Sequence, residues 1–189
     1  AERHGARLIA LAHHADDQAE TVLMRMLRGA GPDGLEGIPV KRPLNGALLI
    51  RPLLIFYKKE LLDYCRRHAL RYAEDSSNRQ RKYVRNRLRL DVIPYLERFN
   101  PQLVPALARL ADILSEEQDY MLQEARRRFE AIAARTPDGI GLARRDFLAD
   151  HVALQRRLIK LILSYLCPDE FADFGKVERV REALAADDP

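Results

Sequence analysis

Within five positions the chain sets His13, His14, Asp16 and Asp17, and Glu20 follows one helical turn after Asp16. An imidazole in such a group can shuttle a proton or bond to a phosphate. A carboxylate such as Asp17 can accept a proton or hold Mg²⁺. Farther along, Arg85 and Arg89 stand one turn apart on a predicted helix, where both guanidiniums can face a phosphate from one side. Acids with histidines and a distant arginine pair suit nucleotide chemistry on a nucleic acid.

The elements that must position these residues are legible from spacing. Leu8-Ile9-Ala10-Leu11-Ala12 is a short apolar run of strand length. Ala19, Val22, Leu23, Met26 and Leu27 then recur at helical spacing, and Gly29 stands where a helix would stop. The histidines and acids therefore fall where a buried strand ends and a helix begins, the edge at which open α/β sheets bind ligands. Asp17-x-x-Glu20 also reads as a capping box, a purely structural use of two acids at a helix start.

The 189 residues suffice for one large domain or two small ones, and 47% hydrophobic with 32% charged content describes a chain with a buried core. No apolar run reaches membrane-span length, and Cys65 and Cys167 are too few and too far apart for a disulfide framework or a CxxC site. A cytoplasmic location follows as the expectation. The net charge of +4 says little, but Arg79, Arg81, Lys82, Arg85, Arg87 and Arg89 crowd one segment around Tyr83. Such a stripe fits phosphate contacts or a solvated helix face. The opening Ala1-Glu2-Arg3-His4-Gly5 reads as a helix tail running into a strand, so the chain reads as a piece of a longer protein.

Gly29-x-Gly31-x-x-Gly34 matches the dinucleotide fingerprint by letter but lacks its context, since a helix precedes it and a loop with Pro32 follows. Leu48-Leu49-Ile50 is a second strand, Tyr57 to Ala69 a helix with Lys58 and Lys59 in its first turn, and Arg71-Tyr72-Ala73 a candidate strand. Glu74-Asp75-Ser76-Ser77-Asn78 is turn chemistry. A helix with Leu88, Val92 and Leu96 on one side follows, and Pro94 starts a new turn in it. Asn100-Pro101 marks a boundary, giving domains 1–99 and 100–189. Beyond it the stripe from Leu103 to Phe129, a helix through Leu154 and Leu161, and a last helix capped by Asp173 predict helices, with one brief extended piece at Ile140 to Ala143.

Ala12-His13-His14-Ala15-Asp16-Asp17-Gln18-Ala19-Glu20-Thr21 resembles the second motif of the N-type ATP pyrophosphatases that act on tRNA. Four further pieces in order narrow the resemblance to the tRNA(Ile)-lysidine synthase family. They are Arg28-Gly29-Ala30-Gly31 with Gly34-Leu35; Arg51-Pro52-Leu53-Leu54 with Lys58 and Glu60; Glu74-Asp75-Ser76-Ser77-Asn78; and Arg85-Asn86-Arg87-Leu88-Arg89 running to Ile93-Pro94. The resemblance is strong over residues 7 to about 101 and continues faintly at Ala153-Leu154-Gln155-Arg156-Arg157.

The resemblance implies an α/β fold: the C-terminal part of a Rossmann-like parallel-sheet pyrophosphatase domain, then an all-α domain for tRNA and substrate. It implies that ATP, with Mg²⁺, adenylates the C2 oxygen of a wobble cytidine in tRNA(Ile), and that free lysine then displaces AMP. His13, Asp17, Glu20 and Arg89 carry over as catalytic candidates, with Asp17 also a candidate metal ligand. Arg28, Gly29, Gly31, Gly34, Arg85 and Asn86 carry over as candidates for contact with the tRNA and its flipped-out base. The partners implied are tRNA(Ile) and lysine, with no membrane, and a homodimer is left open.

The family's phosphate loop, Ser-Gly-Gly-x-Asp-Ser, occurs nowhere in the chain. The expectation is therefore that this chain alone neither binds ATP tightly nor makes lysidine. Three rival readings stand: a related tRNA thiolation enzyme, for which two distant cysteines fit poorly; a non-catalytic RNA-binding remnant; and a metal phosphoesterase using His-His-x-Asp-Asp as ligands.

Overall fold

The computed structural model describes residues 5–73, 75–137, 139–167 and 172–186. The helix tail expected at Ala1 to His4, Glu74 and Asp138 of the two predicted turns, and Pro168 after the long C-terminal helix lie outside the described residues. The chain divides into two compact units, 1–116 and 117–189.

In the first unit β1 (Leu8–Ala10) leads into α1 (Ala15–Met26), a one-turn α2 (Pro32–Leu35), β2 (Lys41–Leu44) and β3 (Ala47–Ile50). The sheet order is β1-β3-β2. β1 runs parallel to β3 with Leu8 opposite Leu48 and Ala10 opposite Ile50, and β2 returns antiparallel. The sheet is therefore mixed, with one parallel pair, and the strand at its edge is not buried: Leu8 is 57% exposed. Strand β2 escaped the sequence reading although its signal is there. Asn45 and Gly46 both take positive φ, 44° and 77°, the geometry of a two-residue hairpin turn. Pro43 is tolerated because β2 is an edge strand.

Helix α3 (Lys58–Arg67) follows, and Arg71 to Ala73 form no strand. A 3₁₀ turn (Ser76–Arg79) is capped by Asp75, whose side chain accepts from Ser77 N at 2.8 Å. The arginine segment then folds as α4 (Val84–Arg87), a π segment (Leu88–Val92) and α5 (Ile93–Glu97), one after another. Pro94 sits in the first turn of α5, and the wider π turn before it accommodates the missing donor and the ring. The extra residue in that turn shifts the apolar face: Leu88 and Ile93 are buried, whereas Val92 is exposed.

Helix α6 (Leu103–Ile132) contributes residues to both units. Asn100 is a turn residue whose side chain accepts from Gln102 N, but the first unit does not end there. Val104, Leu107 and Ala111 join Ala19, Val22 and Ile93 in its core, which carries the unit on to Glu116.

The second unit is not helix only. After α6 come β4 (Ala133–Thr136) and β5 (Gly139–Leu142), paired antiparallel, then α7 (Arg144–Ala149), α8 (Val152–Leu166) and α9 (Phe174–Ala185). Ile132, Phe147, Leu158, Ile159 and Val177 form its core. Asp173 caps α9, accepting from Lys176 N at 2.7 Å. Arg156 and Arg181 both bond to Glu178, tying α8 to α9 and holding that carboxyl down at about 2.

Candidate functional site

The site is built at the start of α1. His14 is the N-cap: its Nδ1 accepts from Asp17 N at 3.4 Å, and its own N–H donates to Asp17 Oδ2 at 3.0 Å. The capping box thus joins His14 to Asp17, not Asp17 to Glu20, and Glu20 falls in the second turn, where it is 1% exposed. Asp16 Oδ2 accepts from Lys58 N at 2.8 Å, which joins the first turns of α1 and α3. Burial acts to raise the Asp16 carboxyl, but bonds from His14 and the Lys58 N–H outweigh it and hold the group below the usual carboxylate range.

Both arginines reach this turn. Arg85 donates through Nε to Glu20 Oε2 at 2.8 Å and through Nη2 to Asp17 Oδ1 at 2.9 Å. Arg89 donates through Nε to Glu20 Oε1 at 2.5 Å, and through Nη2 to Asp17 Oδ1 and Glu20 Oε2, each at 3.0 Å. Two carboxylates and two guanidiniums close a ring whose formal charges cancel, the arrangement under which burying ions is tolerable. Burial works against the Arg89 charge, yet the bond and charge of Glu20, with Asp17 and Asp16 behind, hold its pKa above the ordinary value.

This geometry revises two expectations. Arg85 and Arg89 share a face as predicted, but that face meets Asp17 and Glu20 rather than open space for a phosphate. Asp17 also does not fit as a metal ligand. Its Oδ1 already takes two guanidinium donors and its Oδ2 the His14 N–H, and no cluster of three metal-binding side chains occurs among the described residues.

His13 lies beside this ring with its Nδ1 buried and unpartnered. Burial lowers its pKa below 6.5, and the positive charges of Arg51 and Arg85 add to that against the opposing pull of Asp17. A neutral imidazole can receive a proton on its unprotonated nitrogen.

The glycine loop is held by the other side of α1. Arg25 Nη1 donates to Gly34 O at 2.6 Å and Gly37 O at 2.8 Å, and the Gln18 amide bonds to both backbone groups of Ile38. Arg28, Gly29 and Gly31 remain exposed and Gly34 is half-buried. Asn86 is used differently from expectation: its Nδ2 donates to Ser77 O and Gln80 O, fastening the turn before α4. Sequence reasoning quoted Gln18 and Arg51 within motifs but gave neither a role, and it passed over Arg25. Arg51 is 8% exposed and donates to Pro39 O at 2.6 Å; an arginine at the end of an apolar strand is the signal that marks it.

A cavity of about 170 Å³ opens next to the ring, lined by Asp16, Glu20, Lys58, Arg89, Glu97 and Val104 among others. It presents charged groups of both signs on a partly apolar wall.

The profile described as a PP-loop domain matches residues 1–96. The chain is 41% identical to the tRNA(Ile)-lysidine synthase of Bacillus cereus (strain ATCC 14579) over 166 residues, which is 87% of this chain and 35% of that protein. It is 36% identical over 162 residues to the enzyme of the same name from Geobacillus kaustophilus, covering 86% and 35% respectively. It is 35% identical over 183 residues to the bifunctional protein TilS/HprT of Listeria monocytogenes serotype 4b, covering 96% of this chain and 28% of that one. The chain thus spans about a third of the length of these relatives. With half of its residues under one domain profile, the chain belongs to the PP-loop domain family.

Proposed function

We propose that this chain serves a tRNA(Ile)-lysidine synthase, an ATP-dependent ligase that joins free lysine to C2 of the wobble cytidine of tRNA(Ile). The observation that carries the reading is the closed ring of Asp17, Glu20, Arg85 and Arg89 beside a cavity lined by charges of both signs. The two relatives named tRNA(Ile)-lysidine synthase support the substrate.

In this reading the C2 oxygen of the cytosine attacks the α-phosphorus of ATP and pyrophosphate leaves. An amine of lysine then attacks C2, and AMP departs with that oxygen. The first step is needed because a carbonyl oxygen is a poor leaving group and AMP a good one. Lysine is a zwitterion with an extra cation. Asp16 and Glu97 suit its ammonium groups and Lys58 suits its carboxylate, at a cavity wall that the Glu20–Arg89 pair completes. Neutral His13 takes the proton that the attacking ammonium must lose. Arg89 holds the Glu20 carboxylate in place at the cavity wall. Mg²⁺ would accompany the ATP phosphates, since hydrogen bonds from Arg85, Arg89 and the His14 N–H already engage both oxygens of Asp17.

The finer fold assignment belongs with this reading. The first unit holds the C-terminal part of a Rossmann-like pyrophosphatase domain, with β1 and β3 its parallel pair, and the second unit is a largely helical tRNA-binding domain. The exposed Arg28, Gly29 and Gly31 of the loop face the flipped nucleotide, and the cytoplasm is the site of action.

The test is to put this chain in place of the matching stretch of the Bacillus cereus tRNA(Ile)-lysidine synthase, to incubate the chimera with tRNA(Ile), ATP and lysine, and to weigh the wobble nucleoside. The expected product is cytidine carrying a lysine, lost at least 100-fold in Glu20→Gln while tRNA binding persists. Unmodified cytidine together with transfer of sulfur, or of nothing, to the tRNA would overturn the assignment.

A further inference from the structure

The second unit holds a feature that the ring on α1 does not explain. A cleft of about 340 Å³ lies between the β4–β5 hairpin and the last turn of α8, lined by Arg135, Thr136, Pro137, Gly139, Tyr165 and Leu166 among others. That volume is at the lower end of the range for small-ligand sites, roughly 300–1,000 Å³. Its wall is aromatic and cationic. The Arg135 guanidinium lies over the Tyr165 ring, 5.3 Å from the centroid, and the ring rests on Phe129 at 5.5 Å. Tyr165 nevertheless stays 46% exposed.

Both walls are fixed by backbone. The hairpin pairs Arg135 with Ile140 and Thr136 with Gly139, and Tyr165 and Leu166 are the closing residues of a fifteen-residue helix. Arg127, Arg128, Arg156 and Arg181 each pair with a carboxylate at 2.6 to 2.9 Å. Arg135 has no carboxylate partner among the described residues, and its contact is the Tyr165 ring. A guanidinium over an exposed ring, with no carboxylate partner among the described residues, beside a hydroxyl and a cleft, presents a stacking surface with a phosphate donor at its rim.

We infer that the cleft between Arg135 and Tyr165 is a subsite for one unpaired nucleotide of RNA. The base stacks on the Tyr165 ring or on the Arg135 guanidinium plane, and the free N–H groups of Arg135, with the Thr136 hydroxyl, take the adjoining phosphate. The inference rests on the tRNA reading above and gives the second unit a contact of its own, separate from the chemistry on α1.

The test is fluorescence anisotropy of the chain with labelled tRNA(Ile) transcript and with an eight-nucleotide oligouridylate, across a salt series. Tyr165→Ala is expected to weaken both about tenfold, and Tyr165→Phe to leave both unchanged, since one stacked base contributes about 1–3 kcal/mol. Arg135→Ala, at an exposed position that thermal melting should show to be harmless, is expected to weaken binding about tenfold and to lower the salt slope by roughly one phosphate. Wild-type binding to tRNA with both alanine variants unaffected would refute the subsite and leave the tRNA reading standing. Failure of the wild-type chain to bind either RNA would refute both.

Discussion

The Asp17 carboxylate accepts from the Arg89 guanidinium at 3.0 Å across 72 residues of chain. Glu20, one turn beyond Asp17, accepts from the same guanidinium twice. The start of α1 and the arginine helix are therefore held together by charge at the point where the proposed chemistry takes place. A buried carboxylate in such a ring depends on its partners: the desolvation cost of Glu20 is met only while both guanidiniums remain.

Arg89→Ala is expected to destabilise the first unit by about 3–5 kcal/mol, because it strands Glu20 without its closest partner. Arg85→Ala should cost less, since the Arg85 side chain is 38% exposed against 23% for Arg89. Urea unfolding of the single variants and of the Glu20→Gln/Arg89→Ala pair measures this. Additive losses in the pair would deny the coupling.

His13 should titrate below 6.5, because burial and the neighbouring guanidiniums oppose its charge. The sign follows from linkage: the unfolded chain binds the proton more tightly, so this group's contribution is complete above about 6.5 and is lost as pH falls below it. Ring resonances followed by NMR, and the stability of His13→Gln against wild type between pH 7 and 5, test the point. A midpoint at or above 6.5 would contradict a neutral proton acceptor.

Gly37→Ala should loosen the glycine loop. Gly37 has φ +70°, and an added Cβ would stand 2.6 Å from the Gln18 amide that grips Ile38. Strain plus a disturbed hydrogen bond is expected to cost about 1–3 kcal/mol. Faster hydrogen exchange at the Ile38 amide, with the amides inside β3 unchanged, is the expected signature. Equal exchange at Ile38 would show that the clamp is not needed.

Several features were legible because they are local. The stop of α1 near Gly29, the Asp173 cap and the Tyr57-to-Ala69 helix follow from residue type and spacing over a few positions. The Asn45-Gly46 turn was equally local and was overlooked, and with it strand β2. The π turn before Pro94 was not legible: a one-residue shift of the apolar face leaves no spacing signal, and Ile93 rather than Val92 turned inward.

The chain's residue order alone determined which side chains gather at the strand-to-helix junction, since His13, Asp17 and Glu20 are neighbours in a single helical start. It also determined that Arg85 and Arg89 share one face, a matter of helical pitch. Only the tertiary structure decided what that face meets. A guanidinium pairs as readily with a phosphate as with a carboxylate, and nothing within a few residues of Arg89 states that Glu20 lies 69 positions away and 2.5 Å off. The packing of Ala19 and Val22 against Ile93 brings the two helices together, so apolar burial chose the partners of the charges.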